Sequence, residues 1–412
     1  MSREAAERLA SLARVVTLLF CAVALPYVAL FYESNSVRRV RPRKSGFVLG
    51  VEYLAHYSHE FPWLRRLRVG VICDNPATPE LLHRCGFKVR AIFPFPGNFY
   101  PDVKVPPEYF DTWRDVKGAA YTDISSDWEN AFEKCAHRVD VFIFDVKHTG
   151  LQYDFATVIL KGLLKAAQAC DRHVVVTDRP NPAGGKIEGV GEIPMRLGVT
   201  VGELAQYMNK YILDKSAKLT VIPMLGWKRS MINAGNSPEL HGAMLTGFFL
   251  PMAHVHPFTS VMNLEASGVS IGFPQQQALS MWEIGYLCSF LDRNGLRCKG
   301  WEMDDVTGGK SRGVSFKTIR NPDQFPMFAT FVRMMRFFAN RRALNIEFDE
   351  KFDSVVGSPE IRKLLTDQAS LKQLRDRAEI DSRIFLDKIK SCLMYAPKPK
   401  VRYLDAIVSV GV

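Results

Sequence analysis

The chain has 412 residues, of which 47% are hydrophobic and 24% charged, so it is long enough for two globular domains. These proportions exclude a disordered or collagen-like protein. The formal net charge is +11, and residues 1–44 alone contain eight basic and three acidic side chains. Because the basic excess is concentrated at one end, a membrane surface is favoured over nucleic acid as the partner.

The first element predicted along the chain is a membrane anchor. No residue from Val15 to Tyr32 is charged, and a helix of this length spans about 27 Å, close to the thickness of a bilayer core. Residues 38–44 are rich in Arg and contain no acid, which predicts a globular part facing the cytosol. We therefore expect an anchor and basic linker at 1–44, in the endoplasmic reticulum or the mitochondrial outer membrane. The alternative is a cleaved signal peptide and a secreted or lumenal protein, with Ala22 and Ala24 near the cut.

Residues 46–230 alternate between short apolar segments and helical patterns. The predicted strands are Leu67–Cys73, Lys88–Phe93, Val139–Asp145, His173–Asp178 and Leu219–Met224. The predicted helices are Pro79–Cys85, Trp128–Cys135, Ala156–Cys170 and Val201–Leu213, the last with a capping box formed by Thr200 and Glu203. Strands that are apolar almost throughout are typical of burial on both faces. Their alternation with helices predicts an α/β fold, a Rossmann-like domain with a mostly parallel sheet.

From residue 235 the alternation fades, which predicts a smaller α+β domain at 235–395 and a tail at 396–412. Its predicted elements are a helix at Gln276–Asn294, a strand at Val314–Ile319, a helix at Phe325–Asn340, a helix beginning at Ser358 and a final amphipathic helix with the apolar positions Ile380, Ile384, Leu386, Ile389 and Leu393. The eight Cys include no C-x-x-C pair, so neither a zinc site nor a disulfide framework is indicated. No nucleotide-binding or metal-binding motif is complete, and we predict no cofactor and no metal.

Polar residues follow two of the predicted strands, at the edge where open α/β sheets bind ligands. The candidates are Asp145, His148, Asp178, Arg179, Asn181 and Glu188. Proline and glycine fix the backbone of the loop at 178–185, which suits binding of a polyhydroxyl or carboxylated ligand. The alternative is a turn in which Asp178 caps local amides and pairs with Arg179, beside a surface histidine at position 148.

Several strings in the same region resemble the bacterial exo-β-N-acetylmuramidase family, a glycoside hydrolase family formerly described as a domain of unknown function. They are Asp178–Gly185 (DRPNPAGG), Ile187–Gly189, Ile193–Ala205, Phe144–Gly150, Val221–Trp227, Asn263–Glu265 and Cys392–Tyr395. The resemblance covers about residues 65–395. It implies a Rossmann-like domain, a smaller α/β domain, and a cleft between them that takes the terminal N-acetylmuramic acid of peptidoglycan fragments. It also adds Arg196 to the candidate substrate-binding residues.

The sequence departs from this family at its expected catalytic string. The family carries Pro-Glu-His-Gly after its second strand, whereas this chain has Pro94-Phe95-Pro96-Gly97, so that a phenyl ring stands in place of the carboxylate. The family's Arg-His-Gly is Arg196-Leu197-Gly198 here. Glycoside hydrolysis normally requires two carboxyl groups, and Glu188 and Glu265 remain in matching places.

Three hypotheses follow, and whether the protein is an enzyme stays open among them. The first is a membrane-anchored, divergent member of the family with lost or reduced glycosidase activity and a retained cleft for a sugar or acidic ligand. The second is an active glycoside hydrolase of altered specificity, with Glu188 and Glu265 as its catalytic pair. The third is a structural component of a membrane-bound assembly.

Overall fold

A computed structural model describes most of the chain from Gly46 to Val401. The described residues are 46–95, 116, 118–122, 128–231, 244–245, 247–256, 258, 262–265, 268–273, 279–304, 310–341, 344–350, 352–356, 359–366 and 371–401. Within these ranges no helix is both long enough and apolar enough to cross a bilayer. The predicted anchor at Val15–Tyr32 lies outside the described residues.

The first half of the chain is built around a sheet of six parallel strands. Their bounds are β1 Arg68–Cys73, β2 Lys88–Pro94, β3 Ala120–Tyr121, β4 Val141–Asp145, β5 His173–Thr177 and β7 Lys218–Ile222. The strand order is β3-β2-β1-β4-β5-β7. Every paired neighbour is parallel. The predicted Rossmann-like α/β sheet is therefore confirmed, and its order reverses between β1 and β4, where such sheets bind ligands.

Helices cover both faces of this sheet and bury its apolar strands. They are α1 Gly50–His56, α2 Pro62–Arg66, α3 Ala77–Arg84, α4 Trp128–Cys135, α5 Phe155–Ala169 and α6 Val201–Tyr207. One face packs against α4, α5 and α6, and the other packs against α1 and α3. Val141, Ile143 and Phe144 of β4 are inaccessible to solvent, as expected for a central strand buried on both sides.

The second half contains a four-stranded antiparallel sheet and a group of helices. The strands of this sheet are β9 Met262–Glu265, β10 Gly268–Phe273, β11 Leu296–Asp304 and β12 Lys310–Ile319, in the order β11-β12-β10-β9. A separate antiparallel pair joins β8 Val255–His256 to β13 Glu347–Phe348. The helices are α7 Met281–Arg293, α8 Met327–Ala339, α9 Phe352–Val356, α10 Pro359–Thr366 and α11 Leu371–Ile389. Phenylalanine and methionine side chains fill the core between sheet and helices. A smaller α+β unit thus follows the parallel sheet, and the predicted boundaries at 46–230 and 235–395 stay predictions.

Most predicted helix and strand bounds agree to within two or three residues. Two helices differ more, and the strand predicted at Val314–Ile319 begins four residues earlier, at Lys310. The helix predicted at Gln276–Asn294 begins only after Ser280, whose hydroxyl accepts a bond from the amide of Glu283. The α-helix at 201 ends at Tyr207 and continues as a π-helical turn to Ile212. In the final helix the predicted apolar face is wrong at Ile380 and Ile384, which are 56% and 51% exposed, whereas the predicted Ile389 is buried. The core-facing residues are Leu374, Ala378, Phe385 and Ile389.

The C-terminal segment returns to the first half of the chain. β14 (Lys400–Val401) forms a parallel pair with β6 (Lys186–Ile187), which lies in the loop region after β5. The Tyr395 ring packs edge-on against Trp227, with 4.9 Å between centroids. The C-terminal segment therefore packs against the loop region after β5, which carries several of the predicted site residues.

Candidate functional site

The centre of the parallel sheet ends in a buried ion pair between Asp145 and Arg179. The Arg179 guanidinium donates to both carboxylate oxygens of Asp145, from Nε at 2.9 Å and from Nη2 at 2.6 Å. The hydroxyls of Thr78 and Thr177 donate to the same carboxylate at 2.9 and 2.7 Å. Two predicted site residues are thus brought together, and they bind each other as a forked pair.

Asp74, which the sequence did not single out, lies beside this pair directly after β1. Its Oδ2 accepts a bond from the amide of Lys147 at 3.3 Å, and the Lys147 ammonium is 3.9 Å away. The Oδ1 atom is buried and has no hydrogen-bond partner in the part of the chain that the structure describes. Burial raises the pKa of Asp74. A buried carboxylate oxygen next to the switch point of the sheet, beside a half-exposed lysine, is the most ligand-like feature here. The signal available in sequence was its place at the end of a predicted strand.

Asp178 is a buried anchor for the start of α6. Its carboxylate accepts bonds from the amides of Arg179 and Gly202 and from the hydroxyl of Thr200. The hydroxyl of Tyr395 also bonds to it. Burial and the nearby carboxylate of Glu203 raise the pKa of Asp178 to about 7. These bonds leave the carboxylate with a capping role.

His148, in the loop after β4, and Asn181, in the loop after β5, lie close together, and the side chains of both form hydrogen bonds with other residues of the protein. Nδ1 of His148 accepts from the amide of Gly150 at 2.9 Å, so its Nε2 carries the proton and donates to the Thr157 hydroxyl at 2.8 Å. Burial lowers the pKa of His148, which keeps the ring neutral. Asn181 donates to the carbonyl of Val199 and accepts from the amide of Ala183. His148 is therefore buried, and its hydrogen bonds fix the loop after β4.

Glu188 and Arg196 form a second buried ion pair, at the junction of the two halves. Their backbones pair as an isolated bridge, and Nη1 of Arg196 lies 2.8 Å from Oε1 of Glu188. The guanidinium also donates to the carbonyls of Ala183, Pro322 and Phe325. Oε1 of Glu188 accepts a further bond from the amide of Met327. Oε2 is buried and has no hydrogen-bond partner in the described portion.

The position of the expected catalytic carboxylate is apolar. Phe95 is 2% exposed, and its ring packs 5.5 Å from that of Phe155, within the core beneath α5. The Phe95 amide donates to the carbonyl of Cys73, which fixes the chain at the end of β2. Glu265 is the last residue of β9, and its side chain and Pro96 both lie outside the description.

A third buried ion pair was missed by sequence reasoning. Glu203 accepts bonds from Arg229 at 2.6 Å and from the amide of Met394 at 2.9 Å. Arg229 also donates to the carbonyls of Gly198 and Pro397. The capping-box spacing revealed only the local role of Glu203, because the other partners are distant in sequence. Across the described ranges, no group of three His, Cys, Asp or Glu side chains is arranged to hold a metal ion.

The fold and the loop strings define a Rossmann-like α/β protein followed by a smaller α+β unit. Family models described as the N-terminal and C-terminal parts of exo-β-N-acetylmuramidase NamZ match residues 74–240 and 297–395. The chain belongs to this exo-β-N-acetylmuramidase family.

One curated relative and two solved structures agree with this assignment. The peptidoglycan β-N-acetylmuramidase NamZ of Bacillus subtilis is 37% identical over 107 residues, 23% of this chain and 25% of that protein. The match thus spans about a quarter of the relative's length. A DUF1343 family protein of Bacteroides fragilis covers 86% of this chain and all of its own, with a TM-score of 0.64 and 22% identity. Another from the same organism covers 85% of this chain and 99% of its own, with a TM-score of 0.57 and 17% identity. At these identities the two structures show the fold.

Proposed function

We propose that this protein is a divergent member of the exo-β-N-acetylmuramidase family whose glycosidase activity is lost or strongly reduced. The carrying observation is the position of Phe95, where the resemblance places the catalytic glutamate. A phenyl ring neither donates nor accepts a proton, and its burial against Phe155 gives it no access to a substrate. Loss of one general acid or base typically reduces the rate by about 10²–10⁴-fold.

The environment of Glu188, one of the two retained carboxylates, also supports this proposal. Glu188 is 1% exposed, and its Oε1 is bonded to Arg196 and Met327. A general acid or base must reach the glycosidic oxygen or an attacking water within hydrogen-bond distance. Bound in this way, Glu188 holds Arg196 at the junction of the two halves. The active-hydrolase hypothesis would need Glu188 to leave this pair and meet Glu265.

We further propose that a sugar or acidic ligand binds at the switch point between β1 and β4. Three features support it: the Oδ1 of Asp74, which has no hydrogen-bond partner among the described residues, the half-exposed side chain of Lys147, and the adjacent Asp145–Arg179 pair. Asp74 can accept a sugar hydroxyl, and Lys147 can bind a carboxylate such as the lactyl group of N-acetylmuramic acid. The B. subtilis relative is named for action on peptidoglycan, which makes this sugar the first ligand to test.

The test uses the purified chain with 4-nitrophenyl N-acetylmuraminide, the B. subtilis relative being the positive control. We expect 4-nitrophenol release at least about 10²-fold slower than by the relative, and unchanged in Glu265→Gln. Turnover within tenfold of the relative that is abolished in both Glu188→Gln and Glu265→Gln would instead establish the active hydrolase.

Calorimetric titration with N-acetylmuramic acid tests the ligand site separately. Binding that weakens at least tenfold in Asp74→Asn and Lys147→Ala, but not in the surface control Lys218→Ala, is expected. Absence of binding by the wild-type chain would overturn the ligand site and favour the structural-component hypothesis.

We also propose that the chain is anchored in a membrane through residues 15–32, with the globular part in the cytosol. The support is the uncharged apolar segment and the arginine-rich residues that follow it. After expression in a eukaryotic cell, the full chain should stay in the alkaline-carbonate pellet while a chain lacking residues 15–32 is extracted. A mature protein that begins after Ala24 would contradict the anchor and indicate signal cleavage.

A further inference from the structure

Two cysteines of the second half, Cys288 on α7 and Cys298 on β11, lie against each other outside the site described above. Both are free and half-buried, so a small oxidant in solution can approach them. Sγ of Cys298 is 3.7 Å from the carbonyl oxygen of Cys288. The two thiols also interact, and each shifts the pKa of the other.

The fold brings these residues together by two features of β11. Gly300 lets α7 pack closely on the strand, since a Cβ at that position would lie 2.5 Å from Cγ2 of Ile284. The pairing of β11 with β12 shifts register between Arg297 and Cys298. Such bulges redirect the side chains beside them, and here Cys298 shares the inward face of β11 with Gly300. Helix and strand are therefore close where the two sulfurs meet, as a disulfide requires.

The surroundings differ for the two sulfurs. The hydrogen bond from the Cys298 thiol and a further bond from the Gly300 amide lower the pKa of Cys288. The same interaction with Cys288, together with burial, raises the pKa of Cys298. The Cys298 thiol also donates to the carbonyl oxygen of Cys288, which favours its protonated form. Cys288 is thus the sulfur that is more readily present as a thiolate, the form that reacts with oxidants.

We propose that Cys288 and Cys298 form a redox-active dithiol, in which Cys288 reacts first with a peroxide and Cys298 then closes an intramolecular disulfide. In the first step the Cys288 thiolate takes the terminal oxygen of the peroxide, the O–O bond breaks, and a sulfenic acid and hydroxide form. In the second step the Cys298 sulfur attacks Cys288, the S–S bond forms and the S–O bond breaks. The two thiols lose two electrons and two protons, and hydrogen peroxide is reduced to two waters. The product locks α7 onto the edge strand β11.

The test is a thiol map of the full chain after graded hydrogen peroxide, alkylation and trypsin digestion. Trypsin cuts after Arg293 and Arg297, so the disulfide joins two otherwise separate peptides. We expect the joined peptide at a peroxide concentration about tenfold below that which half-oxidises Cys170, the half-buried control thiol. Oxidation of Cys170 while both Cys288 and Cys298 remain alkylatable would overturn the proposal, and this comparison needs no variant.

Two variants test the order of the steps. In Cys298→Ser, dimedone added with the peroxide should label Cys288, because its sulfenic acid then has no thiol to condense with. In Cys288→Ser, Cys298 should remain unlabelled under the same conditions. Equal labelling of Cys298 in the second variant would contradict the assignment of Cys288 as the attacking sulfur.

Discussion

Replacement of Arg196 by methionine tests how strongly the buried pair at the junction holds the protein together. Arg196 is inaccessible to solvent and bonds to Glu188 and to the carbonyls of Ala183, Pro322 and Phe325. The substitution leaves the Glu188 carboxylate buried, and among the described residues the amide of Met327 is the hydrogen-bond donor that remains to it. Removal of one member of such a pair costs about 3–5 kcal/mol. At about 1–2 °C for each kcal/mol in a chain of this size, the thermal midpoint should fall by about 3–10 °C.

The assay is thermal and urea unfolding of the purified chain, followed by circular dichroism. Glu188→Gln/Arg196→Met is the matched control, because it removes the guanidinium without leaving an unpaired charge. The double variant should be more stable than Arg196→Met, because the single variant keeps a buried carboxylate without its cationic partner. A free energy of unfolding of Arg196→Met within 1 kcal/mol of the wild type would refute this reasoning. So would a double variant whose loss of stability equals the sum of the losses in Arg196→Met and Glu188→Gln.

Two further predictions concern the loops that carry the site. The pKa of Asp178 is about 7 in the folded chain, whereas an aspartate in an unfolded chain ionises near pH 4. The protonated carboxyl of Asp178 therefore stabilises the fold, and this contribution is fully present below about pH 4. That contribution, about 4 kcal/mol at most, is lost as pH rises from about 4 to 7, so the thermal midpoint of the wild type should fall relative to Asp178→Asn across this interval; parallel pH profiles would contradict it. In Gly150→Ala, an added Cβ would overlap the Asn181 carboxamide at a backbone φ of 80°, and we expect a loss of about 2–4 kcal/mol in urea unfolding. Gly285→Ala, in open space on α7, should be neutral or stabilising by up to about 1 kcal/mol, and equal losses in the two variants would disprove the steric argument.

Five of the six strands of the parallel sheet were predictable because each is apolar almost throughout. β4 and β5 end within one residue of the predicted positions, which placed Asp145 and Asp178 at the correct edge. The two-residue strands β3, β6 and β14 were missed, because each is too short to show a period. The pairing of β6 with β14 also joins residues separated by more than 200 positions.

The final helix shows why an apolar pattern alone identified its buried face only in part. Of the predicted positions, Ile389 is buried but Ile380 and Ile384 are exposed. The buried face is determined by tertiary contact, since Phe385 packs edge-on against Tyr207 with 4.8 Å between centroids. Polarity does not distinguish buried from exposed positions here, because the buried face also includes Asp381 and Ser382, which bond to the loop at Gly191 and Gly189.

The candidate site was predictable as a set of residues but not as a set of contacts. Its loops could be named from the proline and glycine positions, and strand ends gave Asp145 and Asp178. The partners that occupy these side chains are remote: Thr78 for Asp145, Met327 for Glu188 and Tyr395 for Asp178. Whether a carboxylate is available for a ligand depends on those contacts, which residue type and spacing do not encode.

The return of residues 392–401 to the first half of the chain has a consequence for biosynthesis. Arg229 receives its partners at Ala396 and Pro397 only after more than 160 further residues have been translated. At about 5–20 residues per second, this interval lasts about 8–33 s. During that time all strands of the parallel sheet, up to β7, have been synthesised, but residues 392–401, which pack against this half of the chain, have not. Chaperones that bind partly folded chains on the ribosome have this window in which to engage it.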